Sequence, residues 1–279
     1  MMTAKRCRSL LFVPASRLDM IDRAHQRGAD VVILDLEDGV AEADKFAARQ
    51  SLNSQLEKLH SHGVDTMVRI NSLEAGGALD LQAMATSHNT AVLVPKVSDP
   101  EQLLAVRDCW LAANKDQPDL QLLPMIECPR GLFRAEQIAT AASNVSGLIF
   151  GSEDFAAEAG LSTQIEALAM PAQWVALAAA AAGIPAYGLP GALGNYHDMA
   201  LFETTLLRAK TIGFTGSLCV HPKQVLLANE IFKPSQEEIQ WAIAVMAQAG
   251  DGGATGGDMG MVDAPVVARA RALLAHCDT

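Results

Sequence analysis

The sequence has few basic residues, few cysteines and no long apolar run. It carries 21 Lys and Arg against 32 Asp and Glu, a formal net charge of −11, and no basic block. We therefore expect no nucleic acid as its main partner. Its five cysteines are scattered without a CxxC pair, which predicts reduced thiols and a cytoplasmic protein rather than a disulfide framework. No apolar run approaches the roughly 18 residues of a transmembrane helix, and Pro14 ends the only early one, so no signal peptide or membrane span is expected.

Phosphate-binding glycine motifs are also missing from the places where they act. No P-loop is present, and no GxGxxG follows a predicted strand. The glycine-rich run GDGGATGG at 250–257 comes after the last helix of the repeating pattern, so it does not cradle a phosphate within a βαβ unit.

What the chain does contain is a repeat of apolar runs and helices. Its 279 residues, half of them hydrophobic, suit one (β/α)8 barrel. Eight strand-like runs alternate with helical segments at about 30 residues per unit. The runs lie at 10–14, 31–36, 66–70, 91–95, 122–126, 145–150, 185–189 and 217–220. An open doubly wound sheet is the alternative.

Charged and polar residues follow these runs at their carboxyl ends. They are Asp35, Glu37, Asp38, Arg69, Lys96, Glu127, Glu153, Asp154 and His221. In a closed barrel all of them converge on one mouth, whereas an open sheet would hold its second and eighth strands far apart. The pattern therefore favours a (β/α)8 TIM barrel.

The stretch 121–155 places two carboxylates where a metal ion can bind. Its two apolar runs flank a helical segment that begins near Pro129, which is the pattern of a βαβ unit with parallel strands. Glu127 follows the first run and Asp154 the second, so both lie at the same edge of the sheet. Oxygen ligands of this kind suit Mg²⁺, which takes one or two carboxylates and keeps several waters. Solvated loop carboxylates are the alternative.

The neighbouring charged residues have two interpretations each. Asp35, Glu37 and Asp38 either orient Arg69 or metal-bound waters, or they cap the helix that follows. Lys96 is either an ion-pair partner inside the barrel or a substrate contact.

Four further residues are weaker candidates. Arg17 and Arg23 either meet a CoA phosphate or lie on a solvated helix face. His221, followed by Pro222, is expected to be a buried hydrogen-bonding group, and Cys128 a small core residue.

The composition changes after residue 249. Six glycines in eleven residues precede a segment, 264–275, with the apolar spacing of a helix that needs a docking surface. We expect a barrel over 1–249 and a glycine-rich hinge with a C-terminal lid helix or subunit-swapped arm over 250–279. A frayed tail is the alternative.

Seven motifs, in this order, resemble those of citrate lyase β-subunit-like proteins of the HpcH/HpaI aldolase group, which includes malyl-CoA and citramalyl-CoA lyases. The resemblance extends from residue 8 to about residue 274. The motifs are RSLLFVPAS, DVVILDLEDGV, VRIN, PMIECPRGL, GLIFGSEDFAA, CVHPKQV and MVDAPVV.

This resemblance implies a (β/α)8 barrel, commonly a homotrimer, with Mg²⁺ at its mouth. It implies reversible carbon–carbon cleavage of a citramalyl-, malyl- or citryl-like thioester into an α-keto acid and an acyl thioester. Glu127 and Asp154 match the metal carboxylates, and Arg69 matches the arginine that holds the keto acid and the enolate. Asp263 matches an aspartate that acts as acid and base from a neighbouring subunit.

Three departures leave the thioester end of the substrate open. Ala15 stands where the group often has glycine, and Ser217 stands where it often has lysine. Ala186-Tyr187-Gly188 replaces a DG pair after the seventh strand. Two alternatives remain: an aldolase acting on free hydroxy-keto acids, and a citrate lyase β subunit acting on an acyl-carrier-protein thioester.

Overall fold

A computed structural model describes residues 7–84, 91–114, 120–249, 255–257 and 260–275. Eight strands form the centre of the fold. They are β1 (Ser9–Pro14), β2 (Val31–Asp35), β3 (Asp65–Arg69), β4 (Ala91–Val94), β5 (Gln121–Ile126), β6 (Leu148–Phe150), β7 (Ala186–Gly188) and β8 (Ser217–Cys219).

Helices follow the strands. They are α1 (Leu18–Ala24), α2 (Lys45–Ser61), α3 (Gly77–Ala83), α4 (Pro100–Ala113), α5 (Pro129–Phe133), α6 (Ala135–Ala139), α7 (Ser152–Ala159), α8 (Ile165–Ala182), α9 (Met199–Ile212), α10 (Pro222–Ile231) and α11 (Gln236–Gln248). Short 3-10 helices cover Glu42–Asp44 and Leu73–Ala75. A hairpin of β9 (Thr255–Gly257) and β10 (Gly260–Val262) precedes α12 (Ala264–Ala275).

The eight strands are parallel and close into a barrel. Their order is β7-β6-β5-β4-β3-β2-β1-β8, and β7 returns to the segment before β8. There the backbone N–H of Thr215 donates to Ala186 O at 2.9 Å, and that of Gly188 donates to Gly216 O at 3.1 Å. The prediction of a (β/α)8 barrel is therefore confirmed, and the open-sheet alternative is wrong.

Side chains fill the barrel, so its interior is a packed core. Alternate residues point inward, because successive side chains of a strand face opposite ways. Leu10, Ile33, Met67, Leu93 and Leu123 pack together there, each buried. The outward residues form a larger core against the helices, which explains why β2 is apolar on both faces.

Local sequence signals set several helix ends. Asp99 accepts the backbone N–H of the third helical residue of α4, while Gln102 returns the bond and Pro100 occupies the first position. Gly183 and Gly213 end α8 and α9 in the left-handed conformation, at φ 70° and 110°.

The structure also contains elements that the sequence analysis did not predict. Helix α7 places Asp154 in a first helical turn rather than in a loop, and α10 begins directly after His221. Strand β6 covers only Leu148–Phe150 of the predicted run 145–150, since Val145 forms no more than an isolated bridge to Leu122.

Helix α8 has an unusual composition. In the described part of the chain, it alone is long and apolar enough to cross a membrane by length and composition, with a mean hydropathy of 1.4. It packs against β6 and β7, with Leu168, Val175 and Ala179 buried, and it contains Pro171.

The C-terminal helix packs within its own chain. Ala242 and Val245 of α11 form a small core with Val262 and Ala270. The predicted helix over 264–275 is confirmed with the same ends. Most of the predicted glycine hinge lies outside the described residues, as does the proposed domain boundary after 249.

Candidate active site

A cavity of about 530 Å³ opens at the carboxyl ends of the barrel strands. Five carboxylates and two guanidinium groups line it: Asp35, Asp38, Glu127, Glu153 and Asp154 with Arg17 and Arg69. We call it the mouth cavity. This excess of negative charge favours a bound cation, because close carboxylates repel one another unless a proton or metal lies between them.

Arg69 is fixed by the strand next to it. The β2–β3 register places Asp35 directly opposite Arg69. Asp35 accepts from Nε at 2.7 Å and from Nη2 at 2.6 Å, while its own oxygens also accept the backbone N–H groups of Glu37 and Gly39. The ring of Phe12 lies under the guanidinium, 4.9 Å from it. Arg69 is therefore held in one orientation by charge, hydrogen bonds and packing.

Glu37 links Arg69 to Lys96. Its Oε2 lies 2.8 Å from Nη1 of Arg69, and its Oε1 lies 2.5 Å from Nζ of Lys96. Asp38 lies 3.8 Å from both cations. The interpretation of Asp35 and Glu37 as residues that orient Arg69 thus agrees with the geometry, and Lys96 is an ion-pair partner of Glu37.

These contacts keep Arg69 and Lys96 protonated. Burial would lower the pKa of Lys96, but the hydrogen bond and charge of Glu37 raise it. Burial would lower the pKa of Arg69, but the hydrogen bonds and charge of Asp35 outweigh it and hold that pKa above its usual value. Burial raises the pKa of Glu37, although the Arg69 charge opposes this effect.

Glu127 is almost completely buried, with 2% of its surface exposed. Its Oε2 accepts the backbone N–H of Lys96 at 2.7 Å. Lys96 has a φ of 52°, the one positive value among the described non-glycine residues. This backbone conformation costs free energy, and it occurs at the residue whose N–H binds Glu127. On the other side, a Cβ at Gly151 would lie 2.5 Å from Oε1, so a larger residue there would displace the Glu127 carboxylate.

The surroundings of Glu127 suit a metal ion. Burial, together with the charges of Asp154 and Glu37, raises its pKa to about 8 against the opposing hydrogen bond from the Lys96 backbone. A divalent cation would remove this cost, and Asp154 lines the same cavity. No group of three or more His, Cys, Asp or Glu that could hold a metal occurs in the described residues. Two carboxylates with waters are enough for Mg²⁺, so the donor set fits.

Glu153, beside Asp154, has a different position. Its Oε1 accepts the backbone N–H groups of Leu193 and Gly194, at 3.0 and 3.3 Å, and Ser152 donates to Gly191 O at 2.7 Å. These three bonds fix the loop after β7. From the sequence, Glu153 was predicted only to be a carboxylate at a strand end. Its contact with Leu193 could not be predicted, because the two residues lie 40 positions apart.

The weaker candidates are placed as follows. Arg17 lines the mouth cavity and is bound to Asp19 at 3.1 Å. Cys128 is buried, as expected, and accepts the backbone N–H of Gly131. His221 is half-buried; it caps α10, and its ring stacks on Tyr196 with centroids 4.9 Å apart.

Asp263 does not line the mouth cavity of its own chain. Its Oδ1 accepts the backbone N–H of Val266 at 3.2 Å and caps α12. Its predicted role as an acid and base is not tested by this arrangement.

Comparison with known proteins identifies the family. The model of the HpcH/HpaI aldolase/citrate lyase family matches residues 8–222. This chain belongs to that family. Its resemblance to citrate lyase β-subunit-like proteins is thereby confirmed, as is the expectation of a carbon–carbon lyase family.

Three relatives are similar to this chain over most of its length. A (3S)-malyl-CoA thioesterase from Cereibacter sphaeroides is 33% identical over 263 residues, 93% of this chain and 89% of the relative. The citrate lyase subunit beta of Escherichia coli K12 is 30% identical, covering 97% and 93%. The crystal structure of protein CitE from Mycobacterium tuberculosis, in complex with magnesium, acetoacetate and coenzyme A, is 31% identical with a TM-score of 0.79, covering 97% and 98%. The magnesium in that relative agrees with the predicted cofactor.

Proposed function

We propose that this protein is a Mg²⁺-dependent lyase that cleaves a 3-hydroxyacyl-CoA thioester into an α-keto acid and an acyl-CoA. One observation carries the proposal. A buried carboxylate with a raised pKa, Glu127, lines the same cavity as Asp154 and a fixed arginine, Arg69. Acidic residues alone would suit many metal sites, whereas an arginine held beside them suits a reaction that develops negative charge.

Glu127 and Asp154 are the residues that would hold the metal. Bound there, Mg²⁺ would supply Lewis-acid chemistry to a keto acid in the cavity. Lys96 keeps Oε2 of Glu127 in place through its backbone N–H. Gly151 leaves room on the side of Oε1.

Arg69 has hydrogen-bonding capacity left for the substrate. A guanidinium has five N–H donors. Asp35 takes two, and Nη1 lies 2.8 Å from Oε2 of Glu37 in an ion pair without a hydrogen bond, which leaves three donors on the two terminal nitrogens. A fixed donor of this kind stabilises the enolate oxygen that appears when the carbon–carbon bond breaks, without reorganising during the step.

We propose that Asp263 of a neighbouring subunit moves the proton at the acyl carbon. In its own chain Asp263 caps α12 and does not line the mouth cavity. A carboxylate on an element that closes over the site excludes water while it transfers the proton.

A homo-oligomer, commonly a trimer in this group, is the assembly that this role requires. An exposed apolar surface on α5 and α8 supports self-association. Phe133, Met170 and Leu177 are 71%, 63% and 61% exposed, and Phe133 contacts Trp174 edge to face at 6.2 Å. A patch of large apolar side chains is typical of an interface between copies.

A product assay tests the reaction. The purified protein is incubated with citramalyl-, malyl- and methylmalyl-CoA, with and without Mg²⁺, and free keto acid, free hydroxy acid and acyl-CoA are quantified. We expect equal amounts of keto acid and acyl-CoA, formed only with Mg²⁺ and lost in Glu127→Gln.

Two other outcomes identify other reactions. Release of a free hydroxy acid and CoA would instead make the protein a thioesterase, as its Cereibacter relative is named. Turnover only with a free hydroxy-keto acid, or only with an acyl-carrier-protein thioester, would select the two remaining alternatives.

A further inference from the structure

Helix α7, which carries Asp154, begins at a glycine. Gly151 is its N-cap, and a glycine has no side chain that could accept the first N–H groups of the helix. Asp154 lies in the first turn, where the backbone N–H groups have no partner within the helix. The position of the Asp154 carboxylate therefore depends on the contacts that hold this turn from outside.

The loop after β7 provides those contacts. We call residues 189–198 the β7 loop. Ser152 donates to a backbone carbonyl of this loop at 2.7 Å. Oε1 of Glu153 accepts two of its backbone N–H groups, that of Leu193 at 3.0 Å and that of the next residue at 3.3 Å. Because Ser152 and Glu153 directly precede Asp154, the β7 loop sets where Asp154 lies.

Gln224 of α10 holds the same loop. It is the third residue of that helix, and it is completely buried. Its amide donates to Leu193 O at 2.9 Å. Its Oε1 accepts the backbone N–H groups of Val220 and His221 at 2.8 and 3.0 Å. Leu193 is thus held through its N–H by Glu153 and through its C=O by Gln224.

Helix capping accounts for only half of the Gln224 side chain. The capping box of α10 uses its Oε1 and leaves the amide nitrogen for the β7 loop. Gln102 makes the same capping box in α4, where its Oε1 accepts the N–H groups of Ser98 and Asp99 at 2.7 and 3.0 Å. Gln224 differs from Gln102 in that it also binds Leu193, whose side chain lines the mouth cavity.

We infer that Gln224 is a positioning residue for the metal site. Through Leu193 and Glu153 it fixes the first turn of α7, and with it the carboxylate of Asp154. Residues that orient a ligand without touching the metal contribute about 10- to 100-fold to metal affinity. The inference rests on the proposed function, since it takes Asp154 as a ligand of Mg²⁺.

Magnesium binding without substrate tests the inference, measured by calorimetry at about pH 8. Gln224→Met keeps the length of the side chain but removes its donor and its acceptor. We expect the Mg²⁺ affinity to fall about tenfold, the lower end of the range for such partners, because Gln224 acts through two other residues. Gln102→Met removes the matching capping box of α4 and should bind Mg²⁺ as the parent protein does.

A second variant separates the bond to the β7 loop from the helix cap. In Gln224→Glu a carboxyl oxygen can still accept the N–H groups of Val220 and His221, but the side chain donates to Leu193 O only when it is protonated. The Mg²⁺ affinity relative to the parent protein should therefore be close to one at about pH 6 and fall about tenfold by about pH 9. For Gln102→Glu this ratio should stay constant.

Amide hydrogen exchange follows the β7 loop in the absence of metal. The N–H groups of Leu193 and Gly194 donate to Glu153. They should exchange about fivefold faster in Gln224→Met, the factor that one lost hydrogen bond gives. In Gln102→Met they should exchange at the parent rate.

The outcomes separate the inference from the proposed function. A folded Gln224→Met that binds Mg²⁺ like the parent, or whose β7 loop exchanges at the parent rate, overturns the inference and leaves the lyase proposal standing. Equal losses of affinity in Gln224→Met and Gln102→Met overturn it as well, because a lost helix cap would then explain both. If Gln224→Met does not fold, a constant affinity ratio for Gln224→Glu overturns it. If the parent protein itself binds no Mg²⁺, the proposed function fails and the inference fails with it.

Discussion

Asp35 holds Arg69 by two hydrogen bonds, from Nε at 2.7 Å and from Nη2 at 2.6 Å. Both residues are buried, 3% and 9% exposed, and they lie opposite each other in the β2–β3 register. The bidentate geometry requires a planar guanidinium, which an ammonium does not reproduce. The free donors of Arg69 are thus aimed by the barrel itself.

Replacing Arg69 by lysine should reduce turnover more than binding. Arg69→Lys retains a positive charge but loses the fixed donors toward the developing enolate. We expect kcat to fall by about 10²-fold or more, the range for loss of one oxyanion donor, measured by steady-state keto acid release. A change confined to KM would show that Arg69 only binds the substrate.

The matched control for Arg69 is Arg8. Arg8 makes a similar pair with Asp30, from Nε at 3.0 Å and Nη2 at 2.9 Å, but it precedes β1 at the amino end of the barrel. Arg8→Lys should keep kcat within about twofold, because a bidentate pair far from the mouth affects the fold and not the chemistry.

A methyl group at Gly151 should weaken metal binding. Its φ of −92° suits alanine, so the backbone tolerates the change. The new Cβ would lie 2.5 Å from Oε1 of Glu127, and the carboxylate must therefore move. We expect Gly151→Ala to lower Mg²⁺ affinity by about 10- to 100-fold, the range for a disturbed partner of a metal ligand, measured by calorimetry.

Gly194 gives the control for this substitution. A Cβ there would lie 3.8 Å from Oε1 of Glu153, at an ordinary contact distance. Gly194→Ala should therefore bind Mg²⁺ as the parent protein does. Equal affinities for Gly151→Ala and Gly194→Ala would contradict the assignment of Glu127 as a ligand.

Magnesium affinity should depend on pH through Glu127. Burial raises the pKa of this carboxyl to about 8 in the metal-free protein, and the metal requires the ionised form. Protons therefore compete with Mg²⁺ below pH 8. The affinity should rise about tenfold per pH unit up to about pH 8 and then level off.

Calorimetry in two buffers of different protonation enthalpy measures this linkage. Near pH 6.5, one proton should be released for each Mg²⁺ bound. Glu166→Gln removes an exposed carboxyl of α8 and should leave the profile unchanged. A flat profile between pH 6 and 8 would show that Glu127 is ionised before the metal arrives.

The sequence was sufficient for the barrel and for the ring of charged residues at its mouth. Apolar runs such as 31–36 are buried on both faces, and a polar residue directly after such a run lies at the carboxyl end of a parallel strand. That logic placed Arg69, Glu127 and Asp154 in one cavity without knowledge of any distance.

The remaining features depend on contacts between distant residues. Glu153 binds backbone groups 40 residues away, and Lys96 holds Glu127 across 31 residues. Helix α10 was missed because the start signal is His221, which caps it with Gln224 as a capping box although histidine is uncommon there. The sequence does mark the constraint at Gly151, because this glycine directly precedes a helix whose first turn carries Glu153 and Asp154.

The role of Asp263 makes the final prediction. Helix α12 packs on α11 of its own chain, and Arg269 lies 4.2 Å above the ring of Trp241. Truncation after residue 249 would therefore expose this core. Asp263→Asn is the cleaner variant, because its amide oxygen can still accept the N–H of Val266 while it no longer transfers a proton. We expect it to bind Mg²⁺ and pyruvate normally and to lose most turnover.

Mixing two inactive variants decides whether Asp263 acts in a neighbour. Asp263→Asn and Glu127→Gln are dissociated together and reassembled, and mixed oligomers are verified by mass spectrometry. If each site combines Glu127 of one chain with Asp263 of the next, random assembly at equal amounts restores both groups in about one quarter of the sites. If Asp263 acts within its own chain, every site keeps one lesion and the mixture stays inactive. Recovery near one quarter of the parent activity therefore supports the shared site, and none at all places Asp263 within its own chain or outside the reaction.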